Sequence, residues 1–346
     1  MVKLLNRHPD TRGKYVLLSI VTFLSPVIGM SIIISYLLSN VRKQFNPNDK
    51  YLVLPLALLF ASFGYCMSFH YGADTDLLRY FDELQTYKTY KSWKDVTKVD
   101  LQMLYTRDIF FYFISLINDV HILPFIVGFG IYSIVLYVFF DFISRAKQTF
   151  SHRDIVAMLI IIIGVFSPYS LIGNTRCIFA FVMVAFATYR DLVQKKRNVL
   201  TLFFYIVPLG LHAAAISILF LRFVQFILKF TGKYILFVAL LLPMGINFAY
   251  EHFYSDSFIG HFVRKAYFYL NWTDGDFASE ILKSKWNIVE RFYGVFFISI
   301  SFFLVFLYEK KRGQSLLAKP MVRFLFLVST CALGSLYIQT GAFWRY

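Results

Sequence analysis

"IVAMLIIIIGVFSPYSLIGNTRCIFAFVMVAFATY" (Ile155 to Tyr189) is the stretch on which the fold turns. It runs 35 residues with Arg176 as its only charged side chain, and basic segments flank it on both sides. One helix of that length would extend about 50 Å, well beyond a hydrocarbon layer of roughly 30 Å. Its centre carries Pro168, Gly173 and Asn174, which interrupt a helix. The run therefore predicts two short helices joined by a tight turn near Ser167–Arg176. The next run, "VLTLFFYIVPLGLHAAAISILFLRFVQFILKF" (Val199 to Phe230), has 32 residues. It poses the same problem and predicts a second hairpin, turning near Pro208–His212.

Charge sets the direction of both hairpins. The segments "NVRKQFNPNDK", "DFISRAKQTFSHRD", "RDLVQKKRN", "KFTGK" and "EKKRGQSLLAKPMVR" together hold seventeen Lys/Arg against five Asp/Glu. The long polar stretches are balanced: residues 70–108 carry six basic and seven acidic side chains, and 250–291 carry five and six. Lys and Arg concentrate in cytoplasmic loops, so the basic segments are expected inside and the balanced ones outside. "DIFFYFISLIND" (Asp108 to Asp119) is too short to cross and is expected as a re-entrant or interfacial helix. Further crossings are expected at Tyr15–Leu38, after Tyr51, at Leu123–Phe140, Tyr234–Ala249, Phe292–Tyr308 and Phe324–Ala342. The expected fold is all-α, a polytopic membrane protein of about ten spans with short hairpins. The 346 residues form one transmembrane domain with outer loops at about 70–108 and 250–291. This count puts the N-terminus outside, against the four Lys/Arg of "MVKLLNRHPDTRGK".

Composition agrees with that class. Hydrophobic residues make up 58% of the chain and charged ones 16%, far from the balance of soluble domains. The formal charge of +15 sits between apolar runs, so it reads as topology rather than a nucleic-acid surface. Tyr15–Leu38 is too long for a signal-peptide core and lacks a small-residue cleavage site. Cys66, Cys177 and Cys331 have neither metal-ligand nor CxxC spacing. There is no nucleotide-binding glycine loop, HExxH or GxSxG, which removes support for ATP-driven transport and ordinary hydrolysis.

On this topology, ionisable residues from separate places meet at the outer face: Asp74, Asp76 and Arg79 after the second crossing, Arg176 and His212 in the hairpin turns, Arg291 entering one span and Arg345 closing another. A lone Arg at a bilayer boundary commonly serves as a snorkelling anchor. A cluster of Arg on one leaflet suits a lipid phosphate or diphosphate, because the guanidinium fork is permanently charged and bidentate. Asp76 and Arg79 can be a structural i, i+3 pair, or a carboxylate held ready as a base for a sugar hydroxyl. His212 can be a packed core imidazole or a second base. Arg222, ten residues beyond His212, is expected to be deep in the membrane and paired, as a structural or lipid-contacting residue. His70 and His121 stand at boundaries and receive no role.

Two stretches carry a family resemblance. "GADTDLLRYFDEL" resembles the G-x-D-L-x-R-Y segment that follows the second span in the EpsG family of Wzy-type polysaccharide polymerases. "SLIGNTRCIFAFVMVAFATYRDLVQKKRNVLTLFFYIVPLGLHAAAISILFLRF" is similar to that family's small-G-x-R block, basic loop and H-x-A-A helix. The resemblance covers Gly64 to about Phe223 and sets Asp76, Arg79, Arg176 and His212 on the family's polar motif positions. It implies a glycosyltransferase-C-like membrane fold and polymerisation of undecaprenyl-diphosphate-linked oligosaccharide repeat units into O-antigen, capsule or exopolysaccharide. The site would face outward from the bacterial cytoplasmic (inner) membrane, with a flippase and a chain-length regulator as partners. Family members continue past an Arg-aromatic motif such as "FWRY" into a further span, whereas this sequence stops at Tyr346, a departure that bears on Arg345.

The expected chemistry is attack of an acceptor hydroxyl on the anomeric carbon of a lipid-linked donor. Asp76 or His212 would act as base, and Arg79, Arg176, Arg291 and Arg345 would hold the leaving diphosphate. No cofactor is expected and no divalent metal is required, and the aromatic stretch "YLNWTDGDF" would help to hold sugars. The alternatives are a lipid-linked oligosaccharide flippase, whose related halves are not found here, a polytopic membrane acyltransferase, and a non-catalytic scaffold of an export complex.

Overall fold

The computed structural model describes residues 11–40, 47–67, 76–99, 105–145, 150–165, 168–212 and 215–228, with scattered positions between Gly245 and Val328. Among the described residues the chain is helical and contains no strand. The helices are α1 (Thr11–Leu24), α2 (Pro26–Ser39), α3 (Val53–Cys66, preceded by a 3-10 turn at Pro47–Leu52), α4 (Asp76–Tyr87), α5 (Trp93–Val99), α6 (Tyr105–Ser115), α7 (Ile122–Arg145), α8 (His152–Val165), α9 (Pro168–Gly173), α10 (Thr175–Leu192), α11 (Val199–Leu211) and α12 (Ala215–Leu228). Among the described residues, two helical stretches, Asp49–Cys66 and Ile122–Arg145, are long and apolar enough to cross a membrane. The expected crossings at 234–249, 292–308 and 324–342, and the outer loop at 250–291, lie outside the described residues apart from scattered positions.

Packing divides the chain into two compact units. The first holds residues 1–100, 104–186 and 210–212, and the second holds 101–103, 187–209 and 213–346. The first is built on α3 and α7, which run antiparallel. Gly64 faces the Pro124 carbonyl, a turn further along Gly128 faces Phe60 and Ala61, and Phe60 stacks on Tyr132 with ring centroids 3.9 Å apart. A Cβ at Gly64 would stand 2.6 Å from the Pro124 oxygen, so the backbones approach this closely only because the residue has no side chain. Small residues permit this kind of helix contact where apolar surroundings give helices no hydrophobic drive to associate.

A buried polar knot closes one end of this pair. The Tyr36 hydroxyl donates to Asp49 Oδ1 at 2.8 Å, the Tyr15 hydroxyl donates to the same oxygen, and His152 Nε2 lies 3.1 Å from Asp49 Oδ2. Asp49 and His152 are almost fully buried, and the knot ties α1, α2, the entry to α3 and the start of α8 together. That start is fixed locally: Ser151 donates from its amide and hydroxyl to Asp154 Oδ2, and the Asp154 amide donates back to Ser151 Oγ. This reciprocal cap also holds the Asp154 carboxyl below its usual range, chiefly through the Ser151 hydroxyl bond.

The knot corrects the expectation for Tyr15–Leu38. That run is two helices folded back on each other, since Tyr15 and Tyr36, 21 residues apart, have their hydroxyl oxygens 3.3 Å apart. The break falls at Ser25–Pro26, where Ser25 leaves the helical region (φ −148°, ψ 92°) and Pro26 opens α2. Residues before proline are pushed toward extended backbone, which ends α1. Lys14, at the start of α1, therefore sits at the same end as Asp49, with its ammonium 5.3 Å from the Tyr36 ring.

Ile155–Tyr189 forms the expected hairpin. α8 leaves the Asp49 end, α9 packs Ile172 against Gly64 and Gly128, and α10 returns alongside α7, with Phe179 on Gly130 and Phe186 against Tyr137. Within the second unit, Val199–Phe230 also doubles back. Arg190 donates to Thr201 near the start of α11, and Arg222 of α12 pairs with Asp191. The helix continues through Pro208 and ends at Leu211, within the expected turn region Pro208–His212. Asp191 also accepts from Arg197 at 2.6 Å, so Arg222 is paired, as expected.

Candidate functional site

The site begins with α4. Leu77, Tyr80 and Leu84 recur at helical spacing and are buried, while Arg79 and Asp82 on the other face are exposed. The segment expected as an outer loop at 70–108 is thus largely helical. Its buried stripe packs on α6, where the Tyr80 ring meets Phe111 edge-on at 5.4 Å and Tyr87 meets it at 6.0 Å.

Two of the expected arginines converge on Tyr80. The guanidinium carbon of Arg79 lies 5.2 Å from the ring centroid and that of Arg176 also lies 5.2 Å from it. Both are within cation–π range, so the two cations are no further apart than the sum of those distances. Arg79 also donates toward the Tyr80 hydroxyl at 3.4 Å and lies 3.6 Å from Glu83 Oε1. Arg176 differs in one respect: its Nε is buried and has no hydrogen-bond partner among the described residues. A buried donor without an acceptor is costly, and a ligand anion would relieve it.

The local chain explains where Arg176 stands. α9 ends at Gly173, the Thr175 hydroxyl donates to the Ile172 carbonyl, and the Ile178 amide bonds the Asn174 carbonyl to start α10. Arg176 occupies the first turn of that helix, where amide N–H groups lack intrahelical acceptors and the helix dipole is positive.

A buried ion pair lies on the α6 side. Arg107 Nε donates to Asp108 Oδ1 at 2.6 Å, the Tyr87 hydroxyl donates to the same oxygen at 2.6 Å, and Asp108 is 1% exposed. Burial and that bond push the Tyr87 hydroxyl well above its usual range. The end of α11 reaches the same neighbourhood, for Gly210 abuts Thr106, the residue before Arg107. His212 follows, buried, with its ring 6.5 Å from Phe181 of α10. Further along, the Tyr65 hydroxyl donates to Asp119 at 2.7 Å, and that bond holds the Asp119 carboxyl below its usual range. The His121 ring lies between Tyr65 and Phe81.

The expected residues therefore fare differently. Arg79 and Arg176 come together on Tyr80, and His212 reaches α10 five residues beyond Arg176. Asp76 opens α4, one turn before Tyr80, while its side chain lies outside the described residues. Asp74, Arg291 and Arg345 lie outside them altogether. Sequence reading passed over Glu83, Arg107 and Asp108. The Arg107–Asp108 dipeptide opening an apolar segment was the available signal. Among the described residues no three His, Cys, Asp or Glu side chains gather to hold a metal ion. Comparison with protein-family models, curated proteins and solved structures finds no match.

Proposed function

We propose that this chain is a multi-pass protein of the bacterial cytoplasmic membrane, with about ten spans and a glycosyltransferase-C-like arrangement. In this reading it polymerises undecaprenyl-diphosphate-linked repeat units at the outer face. The observation that carries the reading is the convergence of Arg79 and Arg176 on Tyr80, with a buried Arg176 donor that has no acceptor among the described residues. Two cations held against one neutral ring suit a ligand with two adjacent negative charges, as a diphosphate has. The motif resemblance, which sets Arg79 and Arg176 on the family's polar positions, points to the same chemistry.

Charge supports the orientation. Lys14, Lys50, Arg145 and Arg153 stand at or beside the Asp49 end of the first unit, whereas the Tyr80 end mixes Arg with Asp and Glu. The positive-inside rule puts the first end in the cytoplasm and the second outside. With α1 and α2 folded back on each other, Lys14 falls on the cytoplasmic side in this reading.

The chemistry follows from the leaving group. The acceptor hydroxyl attacks the anomeric carbon, the carbon–oxygen bond to the lipid diphosphate breaks, and direct displacement inverts the configuration. Arg79 and Arg176 stabilise the charge that grows on the diphosphate. Arg291 and Arg345 are further candidates for that clamp, and the hydroxyl proton passes to a base, a role for which motif spacing alone offers Asp76 and His212. The test is deletion of the gene in its own cell. Surface polysaccharide collapsing to single repeat units, with lipid-linked units accumulating, is the expected result; unchanged chain lengths would reject the proposal.

A further inference from the structure

We infer that Glu83 is the general base of this transfer and takes the proton from the acceptor sugar hydroxyl. The inference rests on the polymerase reading and adds a residue that neither motif spacing nor the family pattern singles out. Glu83 stands one turn beyond Arg79 and three residues beyond Tyr80 on α4. Its two oxygens have different surroundings. Oε1 faces Arg79 Nε at 3.6 Å, while Oε2 is buried and has no hydrogen-bond partner among the described residues. A surface i, i+4 ion pair would leave its second oxygen in water. Here that oxygen is withdrawn from water and offered nothing in return, which is costly until a donor arrives.

Two neighbouring donors are committed elsewhere. Tyr87, one turn further along α4, gives its hydroxyl proton to Asp108, and Arg107 holds the same carboxylate. Among the described residues near Tyr80, Arg176 Nε is a buried donor without an acceptor and Glu83 Oε2 is a buried acceptor without a donor. Their complement is a substrate pair bearing an anionic oxygen and a hydroxyl, the leaving and attacking groups of a glycosyl transfer from a lipid diphosphate. The hydroxyl proton passes to Glu83 Oε2 and the oxygen's electron pair forms the bond to the anomeric carbon. The bond from that carbon to the diphosphate oxygen breaks, and its electrons leave on the diphosphate held by Arg176 and Arg79. Glu83 then releases its proton to water.

The test uses the full chain in lipid vesicles with a synthetic undecaprenyl-diphosphate-linked repeat unit as donor and acceptor. Glu83→Gln keeps size and loses basicity. It should lower kcat by about 10²- to 10³-fold with little change in KM, and it should abolish the fall in rate on the acid side of the pH profile. Glu83→Ala should recover activity when formate is added, a response that a merely structural role does not give. Asp76→Asn and His212→Gln, measured alongside, should keep the acid limb. Glu83→Gln within a few-fold of wild type, no formate rescue, or loss of the acid limb in Asp76→Asn or His212→Gln instead would each overturn the assignment. Wild-type protein that forms no polymer overturns the polymerase reading itself, and the role of Glu83 with it.

Discussion

At the scale of the residue, Arg176 and Asp49 make opposite uses of burial. Arg176 has a buried donor with no partner among the described residues, whereas Asp49 accepts from two tyrosines and faces His152. Arg176→Lys keeps the charge and loses the bidentate fork, so it should retain binding of the lipid-linked unit better than Arg176→Ala yet lose most turnover. Full activity in Arg176→Lys would mark it as an anchor, since snorkelling needs only a long stem and a charge. Asp49→Ala should cost roughly 3–5 kcal/mol, because it strands buried partners that four segments share. Thermal unfolding in detergent reads that loss, and a melting point within a degree or two of wild type would show that the knot is not structural. Arg176 was legible in the sequence because Pro168 and Gly173 announce the break before it. Tyr80 and Glu83 were not, because whether an aromatic enters the core or a carboxylate oxygen loses water depends on what α6 and α10 bring against α4.

At the scale of the element, the hairpins were readable where length and charge agree. Thirty-five apolar residues between basic segments leave one solution, and α8 and α10 take it. The first run misled because its 24 residues suit one tilted span, and proline inside an apolar run is tolerated in membrane helices. The pairing of Tyr15 and Tyr36 with Asp49, together with the extended backbone of Ser25, identifies Ser25–Pro26 as a turn. The contact between α3 and α7 gives a graded prediction. Gly64→Ala drives a methyl into the Pro124 carbonyl and should destabilise by about 1–3 kcal/mol. Gly128→Ala meets a side-chain methyl at 3.3 Å and a carbonyl at 3.4 Å, so its cost should be distinctly smaller. Equal melting points for the two variants would mean that α3 and α7 are not this close.

At the scale of the whole molecule, orientation is the proposal on which the chemistry depends. Cysteines introduced one at a time at Lys14, Lys195, Ser170 and Ala213, probed in intact cells with a membrane-impermeant maleimide, should divide into two pairs. Ser170 and Ala213 should react; Lys14 and Lys195 should react only after the membrane is opened. Labelling of the first pair only in opened cells would put the arginine pair in the cytoplasm and end the polymerase reading. The central claim, that the Arg79–Arg176–Tyr80 cluster serves chain growth on a lipid diphosphate, is tested most directly by reconstitution. Purified protein in vesicles, supplied with a labelled undecaprenyl-diphosphate-linked repeat unit, should give a ladder of products spaced by one unit on a gel. The Arg176→Ala protein should leave the single-unit band. A single-unit band from the wild-type protein, or an equal ladder from Arg176→Ala, would contradict the claim.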